Sequence, residues 1–133
     1  MLAAPSGPVH RLVSFVVDQL GALVAARSPA ELALLAAVAG ISEEVLFRGV
    51  VQVALARVFG DPGALLAASV LFGLVHFATR AYAVLAGVMG LYLGALFLFQ
   101  GTLLAPIITH AVYDFIALIL VARRYRAAPA GRS

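Results

Sequence analysis

Apolar residues fill five long stretches of this chain, and only short clusters of polar residues, glycine and proline separate them. The stretches cover about residues 9–26, 29–59, 63–79, 82–99 and 103–122. Each is close to, or longer than, the roughly 20 residues that a helix needs to cross the hydrocarbon core of a bilayer. The pattern predicts an all-α fold: a polytopic transmembrane bundle of about five helices.

The sequence marks both ends of the second helix. Ser28 can cap its first turn, Pro29 suits the first helical position, and Glu31 is favourable near the positive end of the helix dipole. The run Gly-Asp-Pro-Gly at residues 60–63 predicts the end of this helix near residue 59. A helix of this length exceeds the bilayer core, so we expect a tilt or a bend, with Gly40 as the place for it.

Composition strengthens the assignment to the membrane. Of the 133 residues, 64% are hydrophobic and 11% are charged, and the mean hydropathy is +1.08. A soluble domain of this size could not cover its surface with so few polar residues. The sequence contains no cysteine, which excludes a disulfide framework and a zinc site made of thiolates.

The nine basic residues are all arginine, and their positions predict membrane topology rather than nucleic-acid binding. With five spans, Arg11 and Arg57 lie on one side, and the larger group lies on the other: Arg27, Arg80, Arg123, Arg124, Arg126 and Arg132. The positive-inside rule then places the N-terminus outside and the C-terminus in the cytoplasm. Residues 123–133 are expected to form a basic, disordered cytoplasmic tail.

Three charged residues interrupt the second apolar stretch. Glu44 and Arg48 are four residues apart, so on a helix they share a face and can form an ion pair. Glu43 points about 100° away from Glu44 and has Phe47 at the matching position. Ionisable side chains inside a membrane are costly, so a carboxylate without a partner on its own helix is a candidate functional group.

Two later helices also carry polar groups. His76 lies in the third apolar stretch, and His110 and Asp114 share one face of the fifth. Each group falls in or near the middle third of its predicted helix, so we expect them to meet Glu43 at a similar membrane depth. Two further features are interpreted as packing: Asp18 is expected to face a neighbouring helix, and the Gly90-x-x-x-Gly94 ridge to admit one closely.

Two mechanisms fit this set of side chains. In the first, Glu43 activates a water molecule with the help of His76, while His110 and its neighbour Asp114 stabilise an oxyanion. In the second, Glu43, His76 and His110 bind zinc, with Asp114 as a further possible ligand. Spacing alone does not separate the two, although the sequence lacks the His-Glu-x-x-His arrangement that favours a metal.

Taken together, the motifs Glu43-Glu44-x-x-x-Arg48, Phe72-x-x-x-His76 and His110-x-x-x-Asp114 resemble the CPBP (ABI) family of CAAX proteases and bacteriocin-processing enzymes. The resemblance covers about residues 29–120. It implies an intramembrane endopeptidase of glutamic type without a cofactor, in which Glu43 is the water-activating base, His76 assists, and His110 and Asp114 hold the oxyanion. Glu44 and Arg48 would form a structural ion pair.

The resemblance also implies a division of the chain into a lead-in and first membrane helix at residues 1–28, a four-helix catalytic core at 29–122, and the tail at 123–133. The partners expected are the lipid bilayer and a membrane protein or peptide substrate, with no nucleic acid. The high Ala and Arg content suggests a GC-rich bacterial genome and location in the inner membrane. Small members of the family from such genomes include sorting enzymes of the myxosortase type.

Alternative functions stay open at this point. A non-catalytic membrane scaffold or immunity protein could keep the same polar residues for packing. A small transporter could use Glu43, Asp18 and the histidines as a proton path, although such transporters often contain internal repeats, and none is evident here.

Overall fold

A computed structural model describes residues 7–128, and this part of the chain consists of helices joined by short connections, without strands. In chain order the elements are α1 (Pro8–Ala25), α2 (Pro29–Glu44), a π-helix (Val45–Gln52), α3 (Val53–Val75), α4 (Arg80–Gln100) and α5 (Leu104–Ala127). The predicted all-α fold is therefore confirmed.

The start of α2 follows its sequence signals. The Ser28 hydroxyl accepts a hydrogen bond from the Glu31 backbone N–H at 3.3 Å, and the Glu31 carboxylate accepts one from the Ser28 N–H at 2.8 Å. This reciprocal capping box satisfies two donors that the first helical turn leaves without partners. Pro29 occupies the first turn, where its missing N–H is not needed.

The polypeptide changes direction at Gly60, where the sequence predicts a helix end. Gly60 has φ 68° and ψ 171°, whereas the residues on both sides of it are helical. Backbone in this region is almost confined to glycine, because a Cβ atom would collide with the neighbouring peptide units. Residues 29–75 are thus two helical passages joined by a kink.

α2 is a regular α-helix through Gly40, where the sequence predicts a bend, and the irregular backbone lies later, in the π-helix. Gly40 instead marks a close approach of α2 to α5: a Cβ atom there would lie 3.1 Å from the Ala111 backbone nitrogen and 3.2 Å from the Ile107 carbonyl oxygen. The missing side chain lets α5 come close enough to bring His110 beside the end of α2.

The helices pack into two small apolar cores. α1, α2 and α5 share one core, which contains Val17, Leu32 and Val121. The π-helix, α3 and α4 share the second, formed by Phe47, Phe72 and Ala86. α5 also packs on α4 and so joins the two halves of the bundle. The polar residues of interest lie where these halves meet.

Most of the large apolar side chains face outwards, as in Val58 and Phe99, which are 74% and 89% exposed. Within residues 7–128, three helical stretches are long and apolar enough to cross a membrane: Pro29–Val75, Arg80–Gln100 and Leu104–Ala127. An apolar exterior of this kind is stable only in lipid. The protein is an integral membrane protein, and the spanning of α1, which is outside this set, stays a prediction.

The basic region at the C-terminus begins as helix rather than as a disordered tail. α5 continues to Ala127, so residues 123–127 of the predicted tail are helical, and residues 129–133 lie outside the described part of the chain. Arg126 donates a hydrogen bond from Nε to the Ala25 carbonyl oxygen at 3.1 Å. This contact satisfies one of the free carbonyl groups at the end of α1.

Candidate active site

A cavity of about 170 Å³ opens where α2, α3, α4 and α5 approach one another. Its polar wall consists of Glu43, His76, His110 and Asp114. The rest of its lining is apolar or aromatic: Phe72, Tyr82, Leu85, Ala86, Met89, Leu93 and Tyr113. A small cavity with a few convergent polar groups in an apolar wall is the usual form of a ligand-binding or catalytic site.

Glu43 stands between the two histidines. Its Oε2 atom lies 3.4 Å from Nε2 of His76 and 3.8 Å from Nε2 of His110. The carboxylate is half-buried, and Oε2 is enclosed without a hydrogen bond of good geometry. The unpaired carboxylate of the sequence thus has partners on two other helices, at distances that a small shift or a bound water could close.

His76 lies at the end of α3, whereas the sequence pattern places it in or near the middle third of its helix. It occupies the C-cap, with φ −94° and ψ 18°. Its Nδ1 atom lies 2.8 Å from the Phe72 carbonyl oxygen. A carbonyl oxygen can only accept, so Nδ1 carries a proton and donates it, which directs Nε2 towards Glu43.

His110 is anchored by Glu44, a contact that the sequence analysis did not predict. The Nδ1 atom of His110 lies 2.8 Å from Oε1 of Glu44, and Oε2 of Glu44 lies 3.1 Å from Nε of Arg48. Glu44 and Arg48 are almost completely buried, at 0% and 1% exposure, and His110 is buried as well. The predicted ion pair is therefore present and is one part of a buried chain of three charged or polar groups.

The Gly90-x-x-x-Gly94 ridge supports this network. Arg48 donates from Nη2 to the Gly90 carbonyl oxygen at 2.7 Å, and Gln52 donates from Nε2 to the Gly94 carbonyl oxygen at 3.2 Å. A Cβ atom on Gly94 would lie 2.7 Å from Oε1 of Gln52. The small residues thus let polar side chains reach the backbone of α4, a use of the ridge that goes beyond helix packing.

Gln52 was not singled out by the sequence analysis, although a signal for it exists. It is a polar residue one turn after Arg48 in an apolar stretch, and it is 2% exposed. Both residues belong to the π-helix Val45–Gln52, which begins directly after Glu44. Such π-helical insertions are uncommon and occur often at functional sites. Here the π-helix carries Arg48, which binds Glu44 and the backbone of α4, and Gln52, which binds the same helix.

Phe72 forms the apolar floor beneath both histidines. Its ring centroid lies 4.4 Å from that of His76 and 6.1 Å from that of His110. Phe47 packs edge-on against the same ring at 4.9 Å, and the Arg48 guanidinium carbon lies 4.9 Å above it. These contacts limit the movement of the imidazole rings and exclude water from one side of the cavity.

Asp114 completes the polar wall, and Asp18 takes no part in it. Oδ2 of Asp114 lies 3.4 Å from Nε2 of His110, one helical turn away on α5. An ionised Asp114 is an acceptor only, so at this position it can orient or charge His110 but cannot donate a hydrogen bond. Asp18 is exposed on α1 and does not line the cavity.

The zinc alternative depends on how the His, Asp and Glu side chains are arranged around the cavity. Among residues 7–128, no group of three or more His, Asp or Glu side chains is arranged so that it could hold a metal ion. Both Nδ1 atoms of the site histidines are engaged by Phe72 and Glu44. The arrangement offers Glu43 and the two Nε2 atoms for acid–base chemistry.

Comparison with protein families identifies the evolutionary context of this cavity. Residues 25–116 match the model of the family described as type II CAAX prenyl endopeptidase, Rce1-like. The chain belongs to this family. Neither the curated proteins nor the solved structures with which the chain was compared include a match.

The family assignment confirms the resemblance read from the three motifs. Every residue that lines the cavity falls within the matched segment, which runs from the last residue of α1 to about the middle of α5. The family consists of proteases that act in the membrane, so membership supports protease activity, a lipid environment and a membrane-associated substrate.

Proposed function

We propose that this protein hydrolyses a peptide bond of a membrane-associated protein or peptide, with Glu43 as the general base. The observation that carries the proposal is the position of the Glu43 carboxylate, 3.4 Å and 3.8 Å from the Nε2 atoms of His76 and His110, at the wall of a cavity with room for water and a peptide group. Family membership supports the same reaction class.

In the first step, a water molecule held by Glu43 and His76 attacks the carbonyl carbon of the scissile bond. One water proton passes to the Glu43 carboxylate, the new C–O bond forms, and the π electrons of the carbonyl move to its oxygen. A carboxylate in a largely apolar cavity suits this role, because few water molecules compete for its lone pairs.

His110 supports the oxyanion in this scheme. Its Nδ1 proton is held by the ionised Glu44, so a second proton on Nε2 makes the ring an imidazolium that can donate into the cavity. Preorganised donors of this kind are typically worth a factor of about 10²–10³ in kcat. Glu44 and Arg48 would act as positioning residues, because neither of them lines the cavity.

In the second step, the oxyanion re-forms the carbonyl group and the C–N bond breaks. The proton taken up by Glu43 passes to the leaving nitrogen, directly or through His76. The products are a carboxylic acid and an amine, and Glu43 returns to its ionised form. No redox partner or cofactor enters this balance.

The substrate would be a protein or peptide with a membrane anchor near its C-terminus. The family name includes prenylated CAAX sequences, and an unprenylated C-terminal membrane tag of the kind that sorting enzymes remove is the second candidate. For the orientation, we propose the inner membrane of a bacterium with the C-terminus in the cytoplasm, which the arginine distribution supports.

Cleavage by the purified protein in detergent tests the proposal. The probes are a fluorescent reporter that ends in a farnesylated CAAX tetrapeptide, the same reporter without the farnesyl group, and C-terminal membrane segments encoded in the same genome. Wild type and Glu43→Gln are compared, each with and without a strong chelator. The glutamine keeps the size of the side chain and removes the base.

We expect cleavage that survives chelation and disappears in Glu43→Gln. Loss on chelation with recovery on addition of zinc would replace the glutamic mechanism by the metal mechanism. Cleavage unaffected by Glu43→Gln would remove Glu43 from both mechanisms. A folded wild-type protein that cuts none of the probes would favour a scaffold or immunity protein, in which the polar network only fixes helix packing.

A further inference from the structure

The proposed reaction leaves the oxyanion with an incomplete set of donors. Oxyanion sites in acyl transfer usually provide more than one hydrogen bond to the developing charge. His110 can supply one from Nε2, but Asp114 beside it only accepts when it is ionised. His76 and Glu43 are engaged with the attacking water. Another side chain of the cavity is a candidate for the further donor.

Two hydroxyl groups are available in the lining. Tyr82 on α4 and Tyr113 on α5 both border the cavity, and the other residues outside the four-residue polar wall have hydrocarbon, aromatic or thioether side chains. Tyr113 is 42% exposed, so much of its surface faces away from the cavity. Tyr82 is half-buried in the cavity lining, and an amphipathic side chain of this kind can pack its ring while its hydroxyl binds a polar partner.

The position of Tyr82 is fixed from two sides. Its backbone N–H donates to the Thr79 hydroxyl at 3.1 Å, which caps the first turn of α4. Its ring centroid lies 6.5 Å from that of His76. The side chain lines the same cavity as Tyr113, Asp114 and Glu43, so it lies among the groups that surround the reacting atoms.

We propose that Tyr82 is a catalytic residue whose hydroxyl donates the second hydrogen bond to the oxyanion, opposite His110. The neutral phenol keeps its proton throughout, and no covalent bond is made or broken at Tyr82. This inference rests on the proposed function, because it assigns a role within the same reaction. It also explains how the site can work with an acidic residue at position 114.

Tyr82→Phe tests the inference, because phenylalanine keeps the aromatic wall and removes only the hydroxyl. We expect kcat for the cleaved probe to fall by about 10²–10³, the usual effect of losing one oxyanion donor, with KM changed little. Tyr92→Phe is the matched control: Tyr92 is on the same helix but does not line the cavity, and we expect wild-type kinetics from it.

A second variant separates donation from wall packing. The substitution Asp114→Asn brings an amide donor next to His110. In this background we expect the fold loss of kcat on Tyr82→Phe to be at least five times smaller than in the wild-type background. A role in shape alone predicts the same cost in both backgrounds. That equality would overturn the inference.

Binding of a transition-state mimic gives a readout that does not depend on turnover. The probe is a phosphonamidate analogue of the CAAX tetrapeptide, whose anionic tetrahedral oxygens stand in for the oxyanion. We expect Tyr82→Phe to raise its Kd at least tenfold while the parent tetrapeptide binds equally to both proteins. Equal affinity of the two proteins for the phosphonamidate would contradict the assignment.

The outcomes distinguish this inference from the proposed function. If wild type cuts a probe, Glu43→Gln is inactive and Tyr82→Phe retains full kcat, the protease proposal stands and the role of Tyr82 is wrong. If Tyr113→Phe shows the loss instead, the donor is Tyr113 and the inference is again wrong. If wild type neither cuts a probe nor binds the phosphonamidate, both proposals fail.

Discussion

Nδ1 of His110 lies 2.8 Å from Oε1 of Glu44, and this buried contact joins α5 to the end of α2 across 66 positions of sequence. Glu44 is in turn held by Arg48, whose other end reaches the Gly90 carbonyl oxygen. One chain of polar contacts thus runs from α5 through α2 and the π-helix to α4. It makes the orientation of an imidazole at the site dependent on residues that do not face the cavity.

Glu44→Gln is expected to destabilise the fold strongly as well as to reduce cleavage. The change leaves the Arg48 charge buried without its counter-charge, and breaking a buried pair in this way costs about 3–5 kcal/mol. The free energy of unfolding in mixed detergent would measure the effect. Glu31→Gln, at the exposed pair with Arg27, is the control and should change stability little. Equal stability of the two variants would contradict a structural role for the Glu44–Arg48 pair.

Arg48→Lys should also destabilise the protein, although it conserves the charge. The guanidinium contacts Glu44 through Nε and Gly90 through Nη2, and one ammonium group cannot reproduce both directions. Losing a hydrogen bond from a charged donor costs about 1.5–3 kcal/mol. The same unfolding assay measures it, and a lysine variant as stable as wild type would show that the Gly90 contact contributes nothing.

Gly94→Ala is expected to loosen the contact of α4 with the π-helix and α3. The new Cβ atom would lie 2.6 Å from Cδ1 of Leu65 and 2.7 Å from Oε1 of Gln52, so both side chains must shift from their packed positions. Overpacking of this kind costs about 1–3 kcal/mol. Gly49→Ala is the control, because its nearest contact would be an ordinary 3.4 Å to Leu103. We expect the Tm of Gly94→Ala to be well below that of Gly49→Ala. The reverse order would refute tight packing around Gly94.

His76→Ala should reduce activity while leaving stability almost unchanged, unlike Glu44→Gln, which lowers both. His76 lies at the end of α3 and its side chain is 26% exposed, so its removal leaves no buried charge without a partner. We expect kcat to fall by about 10²–10⁴, as for the loss of an acid–base group, with little change in unfolding free energy. A large loss of stability with a proportionate loss of activity would assign His76 a packing role instead.

The sequence by itself determined the helical segments, the start of α2 and the break at Gly60. Each of these depends on interactions within one turn of helix: the Ser28–Glu31 capping box, the Pro29 ring, and the backbone freedom of Gly60. The Glu44–Arg48 pair belongs to the same class, because residues four apart on a helix meet wherever the helix lies. The apolar composition likewise indicates a membrane environment, since only lipid stabilises so apolar a surface.

Only the tertiary structure decided what these local pieces do together. It placed His76 at the end of α3 rather than in its middle, moved the irregular backbone from Gly40 to the π-helix, and brought Glu44 to His110. It also brought Tyr82 to the rim of the cavity. These contacts join distant parts of the chain, and they depend on how the helices rotate and slide against one another. That packing is the sum of many weak contacts, which no short motif in the sequence encodes.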